Sequence, residues 1–162
     1  MPDASSVRIG FGFDAHRFSS AGPLLLAGIV VAEDRGLEGT SDADVAAHAV
    51  CDALLGAAAA GDIGLHFPSS DPRFVDADSM DLLGEVSRTI GEDGWHIGNV
   101  DVTVVSESVR IAPHRERMRE NLARVLHLDV DAVSVKATTT DRMGSIGSDE
   151  GIAATAVATL YS

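Results

Sequence analysis

Hydrophobic and polar positions fall into two periods along the chain, and the switches between them predict its elements. Residues Val7 to Phe13 (VRIGFGF) alternate and predict a strand that ends at Asp14-Ala15-His16. Turn residues follow from Ser19 to Pro23, and the near-continuous apolar run Leu24 to Val31 (LLLAGIVV) predicts a second strand. That strand is expected to be buried on both faces and to pair with the first as a hairpin. A polar, glycine-flanked loop from Asp34 to Gly39 leads into Thr40-Ser41-Asp42, where Ser41 or Asp42 is a suitable N-cap. The helix after it is predicted from about Ala43 to Ala60, ending at Gly61.

Gly61 to Pro72 (GDIGLHFPSSDP) is too rich in glycine, proline and small polar residues for regular structure and predicts a long, specific loop. Ser79 to Asp93 places Leu82, Leu83, Val86 and Ile90 on one face of a second helix, closed by Gly94. Asn99 to Ser106 alternates as a strand with Val100, Val102 and Val104 on one side. Ala112-Pro113 opens a third helix, with Met118, Leu122 and Val125 as its buried stripe and the intervening Arg and Glu residues as a solvated face. Val133 to Thr139 is a further strand, running into the glycine-rich turn MGSIGSDEG. Ile152 to Tyr161 fits a short buried helix or a strand, and its Thr and Val content leans to the strand. The order β-β-α-α-β-α-β-β, with no GxGxxG fingerprint, P-loop or repeat, predicts an α+β fold. Its expected form is a mixed four- to five-stranded sheet with helices packed on one face.

Composition narrows this further. At 162 residues with 45% apolar content, the chain suits one domain, expected over residues 7–162 behind a disordered tail of residues 1–6. No apolar run approaches the roughly 20 residues of a membrane span, and MPDASS lacks the basic start and apolar core of a signal peptide, so a cytoplasmic protein without a membrane partner is expected. The lone Cys51 excludes an internal disulfide and reads as a small core residue. A net charge of −13 disfavours nucleic acid and anionic membranes as partners. It is compatible with a phosphorylated small molecule where divalent metal and backbone N–H groups supply positive charge. Only 4% aromatic residues, beside much alanine and glycine, suggests close packing of small residues, with part of the core completed by a neighbouring subunit.

Asp44, His48 and Asp52 recur every four residues and would form one polar stripe on an otherwise apolar helix, either a solvated face or a site. Residues two apart in a strand point the same way, so Asp14 and His16 can present an oxygen and a nitrogen to one point. With His48 they make a set that suits Zn²⁺ with its fourth position open, and Asp44 or Asp52 could orient His48 through its second nitrogen. Asp62 could hold the loop backbone or a substrate, whereas His66, between Leu65 and Phe67, reads as structural. Thr138-Thr139-Thr140-Asp141 offers hydroxyls, free N–H groups and a carboxylate at a strand end, which suits a phosphate with a divalent ion.

The segments RIGFGFDAHRF, SDADVAAHAVCDALLGAAAAGDIG, FPSSDP, GNVDVT, RIAPH, KATTTD and EGIAA resemble the 2-C-methyl-D-erythritol 2,4-cyclodiphosphate synthase family, in order, from about Val7 to Tyr161. The resemblance implies a lyase of non-mevalonate isoprenoid biosynthesis. Its substrate would be 4-diphosphocytidyl-2-C-methyl-D-erythritol 2-phosphate, whose 2-phosphate attacks the β-phosphorus and expels CMP. It implies Zn²⁺ on Asp14, His16 and His48, and Mg²⁺ or Mn²⁺ near Asp141. A homotrimer is implied too, with sheets facing the three-fold axis, active sites at the interfaces and each cytidine pocket from the neighbouring chain. Matching pocket positions are Ser106, Arg110, Ile111, Ala112, Ala137, Thr138 and Thr139, with Thr139 also a catalytic phosphate anchor. Ser41, Asp62, Ile63, Gly64, Phe67 and Asp71 match substrate-binding positions. The family's usual His-Ser-Asp is Thr40-Ser41-Asp42 here, its acidic residue in FPDTD is Ser69, and its glutamate near the second metal is Asp141. An aromatic and an arginine of its glycine-rich turn, beside a cavity on the trimer axis thought to accept isoprenoid diphosphates, are Ser145 and Ser148, so that regulatory site is not expected. Two other readings are a slow or repurposed relative and a non-catalytic trimeric module stabilised by zinc.

Overall fold

The computed structural model describes residues 6–162, so of the expected tail all but Ser6 lies outside the described residues. Strand β1 (Val7–Ser19) is longer than its alternating core predicts. It pairs antiparallel with the last strand from Val7 opposite Tyr161 to Arg17 opposite Gly151, so Asp14 and His16 lie within the strand and not at its end.

The expected hairpin partner of β1 is a different structure. LLLAGIVV breaks into β2 (Leu24–Leu26) and β3 (Ile29–Ala32), which pair only with each other. Ala27 and Gly28 between them have φ of 50° and 71°, the two left-handed positions that a tight two-residue hairpin requires. Leu24 and Leu26 are buried while all of β3 is half-buried, so the run is not enclosed on both faces. The short β4 (Gly36–Leu37) pairs instead with the end of β1.

Helix α1 (Val45–Ala58) begins later than predicted because Asp44, not Ser41 or Asp42, caps it, accepting from the N–H groups of Ala46 and Ala47. It ends at Ala59, a left-handed C-cap where glycine is usual. The Gly61–Pro72 segment, predicted to lack regular structure, contains one helical turn, α2 (Ile63–His66), capped by Asp62. Asp78 caps α3 (Ser79–Glu92), which buries Leu82, Leu83, Val86 and Ile90 as its period requires. Strand β5 (His96–Val105) buries Val100, Val102 and Val104. Ala112–His114 forms a 3₁₀ turn before α4 (Arg115–Leu126). In α4, Ala123 and Leu126 join Met118 and Leu122 in the core, and Val125 is only half-buried. The remaining elements are β6 (Val133–Thr138), the one-turn α5 (Gly144–Gly147) and β7 (Gly151–Tyr161), which is a strand.

The sheet is mixed and five-stranded, in the order β4-β1-β7-β5-β6, with only β5 and β6 parallel. Helix α1 crosses β1, β7 and β5, α4 lies against β6, and α3 packs on α1 and α4. Ten of the fourteen α1 residues are buried. Each enclosed Leu or Val contributes about 1.5–3 kcal/mol relative to exposure, so this helix anchors the core.

On β1 the glycines, not the bulky residues, face the helix. A Cβ on Gly10 would lie 1.8 Å from the Ala53 carbonyl oxygen, and one on Gly12 1.9 Å from that of Ala49. Strand and helix backbones therefore approach without side chains between them. Val7, Ile9, Phe11 and Phe13 consequently point to the opposite, uncovered face, where Ile9 is 71% and Phe11 64% exposed.

Candidate functional site

Asp14 and His16 sit two apart on β1, on the face toward α1, and α1 brings His48 to them one turn after its cap. Asp14 Oδ2 lies 2.8 Å from His48 Nδ1 and 3.2 Å from His16 Nε2. One ligand atom from each residue falls within 4.8 Å of the others, so the predicted metal set is brought together. The His16 Nδ1 meets the Glu38 carbonyl, which only accepts, so Nδ1 donates and, in the neutral ring, Nε2 keeps its lone pair for the cluster. A carboxylate and two imidazoles, each half-buried at a cleft, fit a divalent ion such as zinc with a position left open. Burial opposes ionisation of Asp14, but when the imidazoles of His16 and His48 are protonated, their hydrogen bonds and charge hold its carboxyl well below the usual range. The same carboxylate raises the His16 imidazole, against the effect of burial.

Neither carboxylate of the predicted stripe orients His48. Asp44 is the N-cap, so its side chain turns along the helix axis: Oδ1 accepts from Ala46 and Ala47, and Oδ2 accepts from Gly28 N–H at 2.7 Å. Burial pushes its carboxyl up, against the backbone hydrogen bonds of Ala47, Gly28 and Ala27. Asp52 accepts from Ile63 N–H at 2.8 Å and so ties the cleft loop to α1. His48 Nε2 instead lies 2.8 Å from Ser79 Oγ and 3.2 Å from Ser41 Oγ.

The cluster opens into a cleft of about 390 Å³ whose walls include Ser41, Ile63, Gly64 and Phe67, all predicted, together with Thr40 and Ser69. Asp62 precedes Ile63 but is not part of the lining; its side chain caps α2, accepting from Leu65 N–H at 2.9 Å. Asp71 does not line the cleft: it caps the Pro72–Phe74 turn and pairs with Arg73 Nη2 at 2.6 Å. His66 Nε2 contacts the Ala60 carbonyl at 2.9 Å, as a structural histidine would.

The second predicted constellation lies elsewhere. Ala137, Thr138, Thr139 and Asp141 are exposed at and beyond the end of β6, at the same end of the sheet as Asp14. Between β1 and β6 run β7 and β5, so the two groups are separated by about 14 Å, three interstrand spacings. Ser106 is buried and accepts from Val109 N–H at 3.2 Å, Ile111 is in the core, and Arg110 and Ala112 are exposed. Arg110 borders a separate hollow of about 290 Å³ with Arg35 and His114. Glu107, with no signal in its local sequence, holds the Thr139 turn: its Oε1 accepts from Thr140 N–H, Thr140 Oγ1 and Arg142 N–H at 2.9–3.1 Å. Asp141 N–H donates to Thr139 Oγ1 at 3.1 Å, leaving that hydroxyl proton free.

The profile of the YgbB family matches residues 7–161. The 2-C-methyl-D-erythritol 2,4-cyclodiphosphate synthase of Salinibacter ruber is 53% identical over 156 residues, covering 96% of this chain and 99% of the relative. Among solved structures, the bifunctional IspDF of Campylobacter jejuni superposes with a TM-score of 0.95 at 40% identity. The match covers 98% of this chain, which spans 43% of that longer protein. IspF of Plasmodium falciparum in complex with CDP superposes with a TM-score of 0.84 at 29% identity, covering 98% of this chain and 97% of the other.

Proposed function

The chain belongs to the YgbB family, and from that membership we propose where and how it performs the cyclodiphosphate synthase reaction. It is a lyase that converts 4-diphosphocytidyl-2-C-methyl-D-erythritol 2-phosphate to 2-C-methyl-D-erythritol 2,4-cyclodiphosphate and CMP. The observation that carries the site assignment is the convergence of Asp14, His16 and His48 at the mouth of the cleft.

A divalent ion, zinc in our reading, on those three residues would polarise the β-phosphate and offset the repulsion between two phosphates brought together. Asp14, His16 and His48 hold that charge in place. Ile63, Gly64 and Phe67 shape the wall that takes the methylerythritol part and exclude water, and Asp62 accepts from its hydroxyls. Ser41 and Thr40, both on the cleft, donate to phosphate oxygens; Thr40 does so without the positive charge a histidine could carry. The free proton of Thr139 donates to the oxygens of the transferring phosphorus, where charge develops. Asp141, two residues on from Thr139, would be the carboxylate that holds Mg²⁺ or Mn²⁺.

These groups lie on two edges of one chain, so the working site is assigned to an interface. A neighbouring copy supplies the nucleotide half: Ser106, Arg110 to Ala112, and Ala137 to Thr139. The CDP complex of the Plasmodium falciparum relative supports a cytidine nucleotide as the ligand. The uncovered apolar face of β1 supports a homotrimer with its sheets turned inward. Among the described residues no helix is long and apolar enough to cross a membrane, in keeping with the cytoplasmic location we assign.

The test is CMP release by purified protein given the diphosphocytidyl substrate with zinc and magnesium. Release is expected for the wild type and a loss of at least about 100-fold for His48→Ala. Equal release from the two proteins would overturn the assignment.

A further inference from the structure

We propose that Ser79 and Asp42 form a relay that holds His48 in the tautomer able to bind a metal ion, which makes Ser79 a positioning residue of the cluster. The inference rests on the metal-site reading above and adds residues that the Asp-His-His spacing does not contain. Ser79 is the first residue of α3, fully buried, and comes from a different element than any of the three ligands.

The direction of each hydrogen bond follows from chemistry. The Asp42 carboxylate has only lone pairs to offer. It receives Ser79 N–H at Oδ2, 3.0 Å away, and the Ser79 hydroxyl proton at Oδ1. With its proton committed to Asp42, Ser79 Oγ presents lone pairs alone to His48 Nε2 at 2.8 Å, so Nε2 must carry the hydrogen. In the neutral imidazole, Nδ1 is then bare, and it faces Asp14 Oδ2 at 2.8 Å. Acceptor thus faces acceptor, as it does again between His16 Nε2 and the same oxygen at 3.2 Å. Three lone-pair atoms in one place are stable around a cation and poorly stable without one.

The competing tautomer shows why a relay matters. With its proton on Nδ1, His48 would donate to Asp14, satisfy the carboxylate and offer the cluster no ligand. Ser41 Oγ, at 3.2 Å from Nε2, is free to donate and would favour that competitor. The two contacts of Ser79 with Asp42 fix the balance in the metal-binding direction, and an orienting partner of this kind is worth 10–100-fold in metal affinity.

Metal-free wild type, Ser79→Ala and Asp42→Asn would be compared by zinc competition against a chromophoric chelator. Nitrogen-15 spectra of the imidazoles would be recorded without metal, at a pH where they are neutral. His48 should carry its hydrogen on Nε2 in the wild type. In Ser79→Ala it should shift toward Nδ1, with zinc binding weakened about 10–100-fold and circular dichroism unchanged. Asp42→Asn frees the Ser79 hydroxyl to donate to Nε2 and should move the tautomer the same way; it decides the matter if Ser79→Ala does not fold. An unchanged tautomer, or zinc affinity within about twofold of wild type, would overturn the relay. Absence of zinc binding in the wild type would overturn the metal reading, while the metal-free spectra would still decide on the relay.

Discussion

Asp149 has a left-handed backbone at φ 59°, and its carboxylate accepts from Ser108 Oγ at 2.5 Å and Arg35 Nη1 at 3.1 Å. One side chain thereby ties the glycine-rich turn to two other loops. The Ser108 hydroxyl, then the Arg35 guanidinium, outweigh desolvation and hold the carboxyl below its usual range. A depressed folded-state pKa means that the stabilisation is present above the unfolded value of about 4 and is lost as pH falls through the acid range. Asp149→Asn tolerates the same backbone conformation, so it isolates the charge. It should lower stability at pH 7, by less than about 1 kcal/mol because the pair is partly solvated. The gap from wild type should close below about pH 4. Urea midpoints at pH 7, 5 and 3.5 check this, and a gap that widens on acidification would contradict it.

Between elements, the decisive contact is β1 against α1. Gly12→Ala would set a methyl group 1.9 Å from the Ala49 carbonyl oxygen, so the helix must retreat. Such overpacking costs about 1–3 kcal/mol or more. Because Asp14 follows on the same strand and His48 precedes Ala49 on the helix, zinc affinity should fall along with the thermal midpoint. A variant with normal zinc binding and a lowered midpoint would uncouple the two. The alternation of VRIGFGF reveals the strand in sequence, but the natural assumption that Phe faces inward is reversed here, because the helix backbone fills the space a side chain would need. LLLAGIVV reads as one strand until Ala27 and Gly28 turn left-handed, a choice made by the hairpin and not by the apolar run. Asp14 and His16 are legible because the strand period relates them locally, whereas His48 stands out as an imidazole on an apolar helix and is brought to them by tertiary packing. Asp44 misleads because spacing of four implies a shared face only inside a helix, and residue 44 stands at its cap. Ser79 reads as an ordinary helix start, since only tertiary folding sets it against a histidine 31 positions earlier.

For the molecule as a whole, two features point the same way. The outward stripe of Val7, Ile9, Phe11 and Phe13 is a large apolar area left uncovered on a chain of net charge −13, whose copies would otherwise repel. The Asp14, His16 and His48 cluster and Thr139 stand at one end of the sheet, three interstrand spacings apart. The proposed sharing of the site between copies has a genetic consequence, since a chain that is defective in one half could still lend the other half to its neighbour. Equal amounts of His48→Ala and Thr139→Ala chains, each inactive alone, should regain activity when unfolded together and reassembled. In the proposed closed ring with random mixing, each site would draw one half from each of two adjacent chains, so roughly a quarter of the sites would be intact. Measured CMP release near that fraction would mean that the functional unit of heredity here is the pair of neighbours and not the single polypeptide.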